Sequence, residues 1–565
     1  MIPSVFQLVD KMVLTSNGKL DVAAVRARAV PLDSGAGSAP RTPTAVAMAG
    51  IWSELLGVDG VSADDSFFAL GGHSMLAVRL VNQLRRRFRI DLPMKTLFEC
   101  PRLQDLADLI DQKIGGQPSA GHSGASSARA AGELAATAFQ RRLWLAETVD
   151  EQARNNVVLA WKAAGGLDVE LLGRALTQLV AGHELLRTAF VADDDTVRQV
   201  VTGGWRPEVE TLDLRASRDP DADMARWLDE AASRRFDLAS GRLLRAAVAD
   251  LGAQGHALLL CLHHLVIDGE SVPVLLAELD RYYRAVVTGE TAAPPAVQYR
   301  DFVASQEARQ DPARRENELE YWQRKLADAP ANLAFPTPVP AGRDGAVRVP
   351  LPADLPDRLR PLQTQHGVTW FMAFGAALAV ALHRWTGQRT VTLGVPVSTR
   401  DPASFAGLLG PCLNTLVLRS DLAAGAPLGD VLQAMRTEML GALEHAGAPF
   451  EEVVNRLAPA RVAGHTPYID VTLNMNLRSA RRAMLGGIEL TPLFFDSLWS
   501  HEAKFGLTLT VAEQDGELSA ILSYQGQRVS AADAAALADS IAGLLGELTD
   551  GPRGRPSGDR DERRG

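Results

Sequence analysis

Near the front of the chain, apolar residues recur three times at helical spacing. Val46, Ile51, Leu55 and Leu56 predict an amphipathic helix opened by Pro43. Leu76, Val78, Leu80, Val81 and Leu84 predict a second over residues 74–88. Its basic last turn, Arg85 to Arg87, suits the negative end of a helix dipole. Leu103, Leu106, Leu109 and Ile110 predict a third over residues 103–114. Short connections between such helices imply a small bundle.

Further on, the pattern changes. Residues 257–266 are an apolar run of strand type, followed by an amphipathic helix over 272–286 with Pro273 in its first turn. Residues 370–385 are long and apolar enough for a buried helix. Residues 390–397, 413–418 and 468–473 read as strands. Mixed strands and helices over so long a stretch predict an α/β architecture. Its length predicts two lobes, because single cores stop growing with size.

Two segments lack the apolar content to form a core. Residues 31–42 and 115–132 are rich in Gly, Pro, Ser and Ala. The second reaches about 25 Å root-mean-square if flexible, enough for a small domain to swing over a larger one. The expected organisation is residues 1–30 as a remnant too short to fold alone, 31–42 a linker, 43–114 a helical domain and 115–132 a flexible linker. Residues 133–550 then form a two-lobed domain, divided into 133–300 and 301–550, and 551–565 a disordered tail.

Composition narrows the function. A net charge of −10 argues against a general nucleic-acid binder. Cys100, Cys261 and Cys412 are scattered and odd in number, which argues against a disulfide framework or a zinc site and for a reducing compartment. No apolar run approaches the ~20 residues of a membrane span, and the N-terminus lacks signal-peptide character, so a cytoplasmic location is expected.

Two clusters carry candidate chemistry. In Gly71-Gly72-His73-Ser74, glycines allow a tight backbone path beside a serine at the head of the second helix, where free N–H groups favour a phosphate ester. Taken alone, that serine is equally an N-cap. In His263-His264-Leu265-Val266-Ile267-Asp268-Gly269, adjacent side chains on a strand point to opposite faces, so at most one histidine lines a given cavity. A histidine at a strand end beside a carboxylate suits acid–base work near neutral pH. Taken alone, the pair is equally two core histidines and a turn aspartate.

The surroundings of both clusters resemble one family. Asp65-Ser66-Phe67-Phe68-Ala69-Leu70-Gly71-Gly72-His73-Ser74 resembles the signature of carrier domains of nonribosomal peptide synthetases. His263-His264 through Gly269 resembles the active-site motif of their condensation domains. Further motifs follow in family order: Thr137 to Trp144, His183 to Phe190, Tyr299 to Phe302, Gly410 to Arg419, Pro449 to Glu451 and Val471 to Asn474. Leu14 to Asp21 resembles the last motif of adenylation domains, although the nucleotide-binding core is missing, so Lys19 has no adenylation role here. Three positions depart from the pattern. Gly182 stands where arginine is usual, Pro411-Cys412 where an aromatic pair is usual, and Gly506 where aspartate is common.

The resemblance implies a multidomain chain, with a four-helix carrier bundle followed by a two-lobed, chloramphenicol-acetyltransferase-like α/β condensation domain. It implies 4′-phosphopantetheine on Ser74, and a catalytic group of His264, His263, Asp268 and Gly269, with His264 in the chemistry and Asp268 holding the loop. A buried carboxylate needs a partner, for which Arg187 is the candidate. Asn414 supports the site, Cys261 and Cys412 are inert buried thiols, and no metal is implied. The expected reaction is attack of a carrier-bound amine on the aminoacyl or peptidyl thioester held on Ser74. The expected partners are that donor, a downstream loaded carrier, a phosphopantetheinyl transferase and neighbouring synthetase domains, with neither nucleic acid nor membrane. The alternatives are epimerisation on the same fold, or a non-catalytic docking platform.

Overall fold

The structure, a computed structural model, describes residues 7–8, 30–31, 38–58, 60–67, 70, 80–81, 83–84, 87–88, 90, 92, 96–97, 100–114, 134–149, 155–193, 196–308, 311–336, 342–457, 459, 465–476, 482–493, 504–514 and 517–550. The chain divides into two compact units. Met1–Ala120 with Asp354–Thr369 form one, and Gly121–Ala353 with Trp370–Gly565 the other.

In the first unit, strands β1 (Gln7–Leu8) and β2 (Val30–Pro31) pair antiparallel. The helix Pro43–Leu56 starts at Thr42, whose side chain accepts from the Ala45 N–H, and ends at the left-handed Gly57. Its buried face is Ala45, Met48 and Trp52, whereas Val46 is exposed. The expected stripe of Val46, Ile51, Leu55 and Leu56 was therefore rotated, because Met48 and Trp52 carry more apolar surface to bury. Trp52 meets Phe67 edge to face at 5.3 Å between centroids. The helix Leu103–Ile114 has the expected bounds and is tied back by Thr44 Oγ1 donating to Asp111 Oδ1 at 2.5 Å. Most of the expected helix at 74–88, with His73 and Ser74, lies outside the described residues, as do Lys19 and the 115–132 linker.

The second unit has two lobes. The first contains β3 (Leu134–Ala135), β4 (Asn156–Ala163), β5 (Thr188–Asp193), β6 (Thr196–Val201), β7 (Val209–Asp213), β8 (Leu244–Asp250) and β9 (His256–His263). Later in the chain come β10 (Gly345–Arg348), β11 (Thr390–Ser398), β12 (Leu413–Asp421), β13 (Val471–Asn476), β14 (Ala483–Leu485), β15 (Ile488–Pro492), β16 (Leu507–Gln514) and β17 (Glu517–Tyr524). The first-lobe sheet runs β14-β15-β4-β9-β8-β7, and the second-lobe sheet β10-β17-β16-β13-β11-β12. A division at residue 300 therefore misses a crossover. The β14–β15 hairpin leaves the second lobe and adds to the open edge of β4, pairing Leu490 with Ala163. Residues Phe405, Leu408, Leu409 and Cys412 likewise pack into the first lobe's core.

Strand β9 is central and buried on both faces, hence its continuous apolar sequence. Leu258, Leu260 and Leu262 fill one core cluster, and Ala257 and Leu259 another. The strand ends at His263, three residues before the expected end. The His264 N–H still donates to Asn155 O at 2.7 Å, but the Val266 N–H turns back to His263 O at 3.0 Å. The helix Ser271–Thr288 follows and packs on the helix Val169–Gly182.

That packing accounts for Gly182. A Cβ there would overlap Tyr282 Oη and lie 2.9 Å from its Cζ, so the tyrosine occupies the place of any side chain at 182. Gly182→Ala should cost about 1–3 kcal/mol through overpacking. Tyr282→Phe, which removes the clashing oxygen, should restore part of it in the double variant. Thermal unfolding of the three variants checks this, and an unchanged midpoint for Gly182→Ala would contradict it.

Candidate active site

The site is the turn after β9. Asp268 and His263 are fully buried, His264 half-buried and Gly269 exposed. The two histidines point apart, as alternation on a strand requires, and their hydrogen bonds give them different work.

His263 is locked. Its Nε2 lies 2.8 Å from Glu147 Oε1, and its Nδ1 accepts the Leu265 N–H at 3.1 Å, so Nε2 carries the proton. Glu147 Oε1 also accepts the Asn155 backbone N–H at 2.8 Å and its side-chain amide at 3.0 Å. Burial alone would raise the Glu147 pKa. The hydrogen bonds from His263 and Asn155 outweigh it and hold the carboxyl below its ordinary range. Phe236 packs its edge on the His263 ring at 6.1 Å, with the Arg245 guanidinium 3.7 Å from the Phe236 centroid. Grouping His263 with the catalytic residues is therefore corrected: both ring nitrogens are used, and it supports the turn.

His264 is held through one ring nitrogen. Its Nδ1 sits 2.6 Å from Ile267 O, which only an N–H can satisfy, so the proton is on Nδ1 and Nε2 keeps its lone pair. Phe139 meets the ring edge to face at 5.3 Å. Gln140, from the same helix Ala138–Val149, donates through Nε2 to Leu265 O at 3.0 Å and holds the turn. Burial, followed by the Lys504 charge, pushes the His264 pKa down to about 3. The imidazole is thus neutral at physiological pH.

Asp268 fastens the turn to both lobes. Its Oδ1 accepts from the Ser271 N–H at 2.7 Å and the Ser271 hydroxyl at 2.6 Å, and Oδ2 from the Cys412 N–H at 2.9 Å. Its cationic partner is Arg400, with Nη2 3.2 Å from Oδ1 and both side chains buried. This corrects the assignment of Arg187, whose Nη1 donates instead to Thr202 O at 2.7 Å. Arg187 ends the 3₁₀ turn Glu184–Arg187 that leads into β5, whereas Arg400 follows β11, beside the turn. Arg400 Nη2 also donates to Gly410 O at 3.0 Å, Nη1 bonds Leu408 O, and Nε lies 3.5 Å from Glu270. The following helix begins at Ser271. The cap residue is Glu270, and the Asp268 carboxylate satisfies the first N–H.

Gly410 must be glycine. Its φ is +140°, and a Cβ would overlap the Tyr299 ring and lie 2.7 Å from Leu185. Tyr299 donates its hydroxyl to Pro411 O at 2.7 Å. Among the described residues, a Cβ on Gly269 would meet nothing within 4 Å. Asn414 supports from a distance. Its amide donates to Ala446 O and Ala448 O at 2.9 and 2.8 Å, and its Oδ1 accepts from Phe450 N at 3.0 Å. Burial pushes Cys261 up to about 12 and raises Cys412 as well, in keeping with inert thiols. Among the described residues no His, Cys, Asp and Glu cluster could hold a metal, and no helix is long and apolar enough to cross a membrane.

Comparison with known proteins places this geometry. The family model described as "Condensation domain" matches residues 130–557, three-quarters of the chain. The chain belongs to the condensation-domain family. The model described as "Phosphopantetheine attachment site" matches residues 47–110, which include Ser74, so this segment carries a phosphopantetheine site. Malpinin synthetase of Mortierella alpina is 32% identical over 93% of this chain and 7% of its own length. A linear gramicidin synthase from Brevibacillus parabrevis is 33% identical over 93% of this chain and 10% of its own. The chain thus spans about a tenth or less of these relatives. Among solved structures, the X-domain in its complex with OxyB from teicoplanin biosynthesis has a TM-score of 0.66 at 23% identity, covering 77% of this chain and 97% of that one. The first condensation domain of the calcium-dependent antibiotic synthetase, bound to a substrate analogue, has 0.61 at 24%, covering 75% and 98%. Both share the fold. Amide bond formation is the general function of the family.

The condensation turn makes a prediction about pH. His264 binds its proton far more weakly folded than unfolded, so the unfolded chain holds the extra proton between pH 6.5 and about 3. The stability it contributes is complete above pH 6.5 and is lost as pH falls toward 3. The ring resonances of His264, followed by NMR, should show no titration between pH 8 and 5. A midpoint near 6.5 would contradict this.

Proposed function

We propose that this condensation domain joins the acyl group carried on Ser74 to the amine of a residue loaded on a second, downstream carrier. The observation that supports it most is the neutral His264 ring, fixed by its Nδ1–H bond to the Ile267 carbonyl so that Nε2 keeps its lone pair. The chain supplies the hydroxyl that attachment of phosphopantetheine requires, within residues matched by that family model. When bound, the group presents the acyl donor as a thioester on a long arm.

The residues of the chain then act on the incoming amine. His264 Nε2 accepts a hydrogen bond from it and directs its lone pair to the thioester carbonyl carbon. The C–N bond forms, the C–S bond breaks, and the proton lost by nitrogen ends on the departing thiol. A ring held near pKa 3 is a poor final proton holder, so orientation and electrostatic stabilisation are its main contributions. Holding two tethered substrates together supplies much of the remaining acceleration.

The domain limits are the carrier at 43–114 and the condensation domain at 133–550, after a piece of adenylation domain at 1–30. The partners are the donor thioester, the acceptor carrier, a phosphopantetheinyl transferase and neighbouring synthetase domains. The setting is cytoplasmic, away from membrane and nucleic acid.

Ser74 is loaded with an aminoacyl-phosphopantetheine, and a separately loaded acceptor carrier is added. Mass spectrometry should find the dipeptide on the acceptor, with His264→Ala slowing its formation at least ~100-fold. Absence of dipeptide over several donor–acceptor pairs, with loading confirmed, would favour epimerisation or a docking platform instead.

A further inference from the structure

Beyond the turn itself, one side chain bridges the two lobes next to His264. Arg142 belongs to the helix Ala138–Val149 of the first lobe, one helical turn after Phe139. Its guanidinium carbon stands 5.4 Å from the Phe139 centroid and 5.6 Å from that of Phe450, on the second-lobe helix Phe450–Leu457. Its Nε is 3.3 Å from Glu451 Oε1, and Nη1 is 3.4 Å from Thr415 Oγ1 on β12.

Both ends of this bridge are firm. On the second-lobe side, Asn414 grips Ala446, Ala448 and Phe450. A Cβ on Gly447 would lie 2.5 Å from the Glu318 carboxylate, so the loop is boxed from its other side. Arg315 holds Glu452 with Nε 2.8 Å from Oε2, fixing the same helix again. On the first-lobe side, Phe139 is buried and its ring meets His264 edge to face at 5.3 Å and 72°. A change in lobe spacing therefore reaches Phe139 through Arg142, and Phe139 limits where the His264 ring can lie.

We propose that Arg142 is a positioning residue that transmits the spacing of the two lobes, through Phe139, to the ring of His264. The inference rests on the condensation reading for its effect on rate, but its effect on the ring does not need that reading. Arg142 touches no reacting atom. Its contribution is to hold the histidine at the angle from which Nε2 meets the amine, and small misplacements at such a point cost rate steeply.

The test uses the full chain with Ser74 loaded and the acceptor carrier varied in concentration. A parallel measurement records the His264 ring signals of the unloaded protein with 13C-labelled histidine, assigned by His264→Gln. Arg142→Ala should lower kcat about tenfold while KM for the acceptor carrier changes by less than about twofold. The His264 signal should move, and combination with Phe139→Leu should give much less than the product of the single effects. Arg142→Lys, which keeps a cation but not the planar stack, should recover part of the rate. A folded Arg142→Ala with an unmoved His264 signal and unchanged kcat would overturn the proposal. So would a loss confined to KM. If Arg142→Ala does not fold, Glu451→Gln takes its place, with a smaller shift of the same signal expected and an unmoved signal overturning. Should the wild type form no amide, the condensation reading falls while the ring signal still decides the role of Arg142.

Discussion

A buried carboxylate is the constraint on which the active-site turn depends. Asp268 lies where water cannot solvate its charge, and a lone charge there would cost several kcal/mol. It is met by Arg400, the Ser271 hydroxyl and N–H, and the Cys412 N–H, so every partner fixes a different segment. Ser271 starts the helix after the turn, Arg400 follows β11, and Cys412 precedes β12. The same guanidinium gathers the carbonyls of Leu408 and Gly410. One ion pair thereby joins the first-lobe turn to the second-lobe strands, and leaves little freedom for the residues between His263 and Asp268.

That rigidity lets two neighbouring histidines serve different ends. His263 is consumed by Glu147 and the Leu265 N–H and becomes part of the frame. His264 gives one nitrogen to Ile267 O and keeps the other. Desolvation then removes its charge, which leaves the ring neutral and oriented, as its proposed role requires. The departures from the family pattern fit the same frame. Gly182 yields its space to Tyr282, and at Gly506 a Cβ would come within 2.6 Å of Phe335 and 2.9 Å of Arg528.

Local features were readable from the chain wherever burial follows a simple period. The helices Leu103–Ile114 and Trp370–Thr386 and the strands β11 and β12 stand where apolar spacing places them. The opposition of His263 and His264 follows from strand alternation alone. Long-range pairing was not readable. That Asp268 needs a cation is a matter of solvation, but Arg400 lies 132 residues away in sequence, and no local period marks it over Arg187. Glu147, 116 residues from His263, is concealed in the same way. The β14–β15 hairpin joins a sheet begun more than 300 residues earlier, because β4 offers an unpaired edge there. In the helix Pro43–Leu56 the face was misjudged by weighting Val46 above Met48 and Trp52.

Asp268 and Arg400 thus act as one unit that holds the turn carrying His264. A double-mutant cycle on Asp268→Asn and Arg400→Gln, read by denaturant unfolding, measures it most directly. Each single variant leaves a buried charge without its partner and should be strongly destabilised. The double variant should recover part of that loss, with a coupling of about 1–3 kcal/mol. Losses that simply add, or a single variant as stable as the parent, would show that the two side chains do not act as a unit.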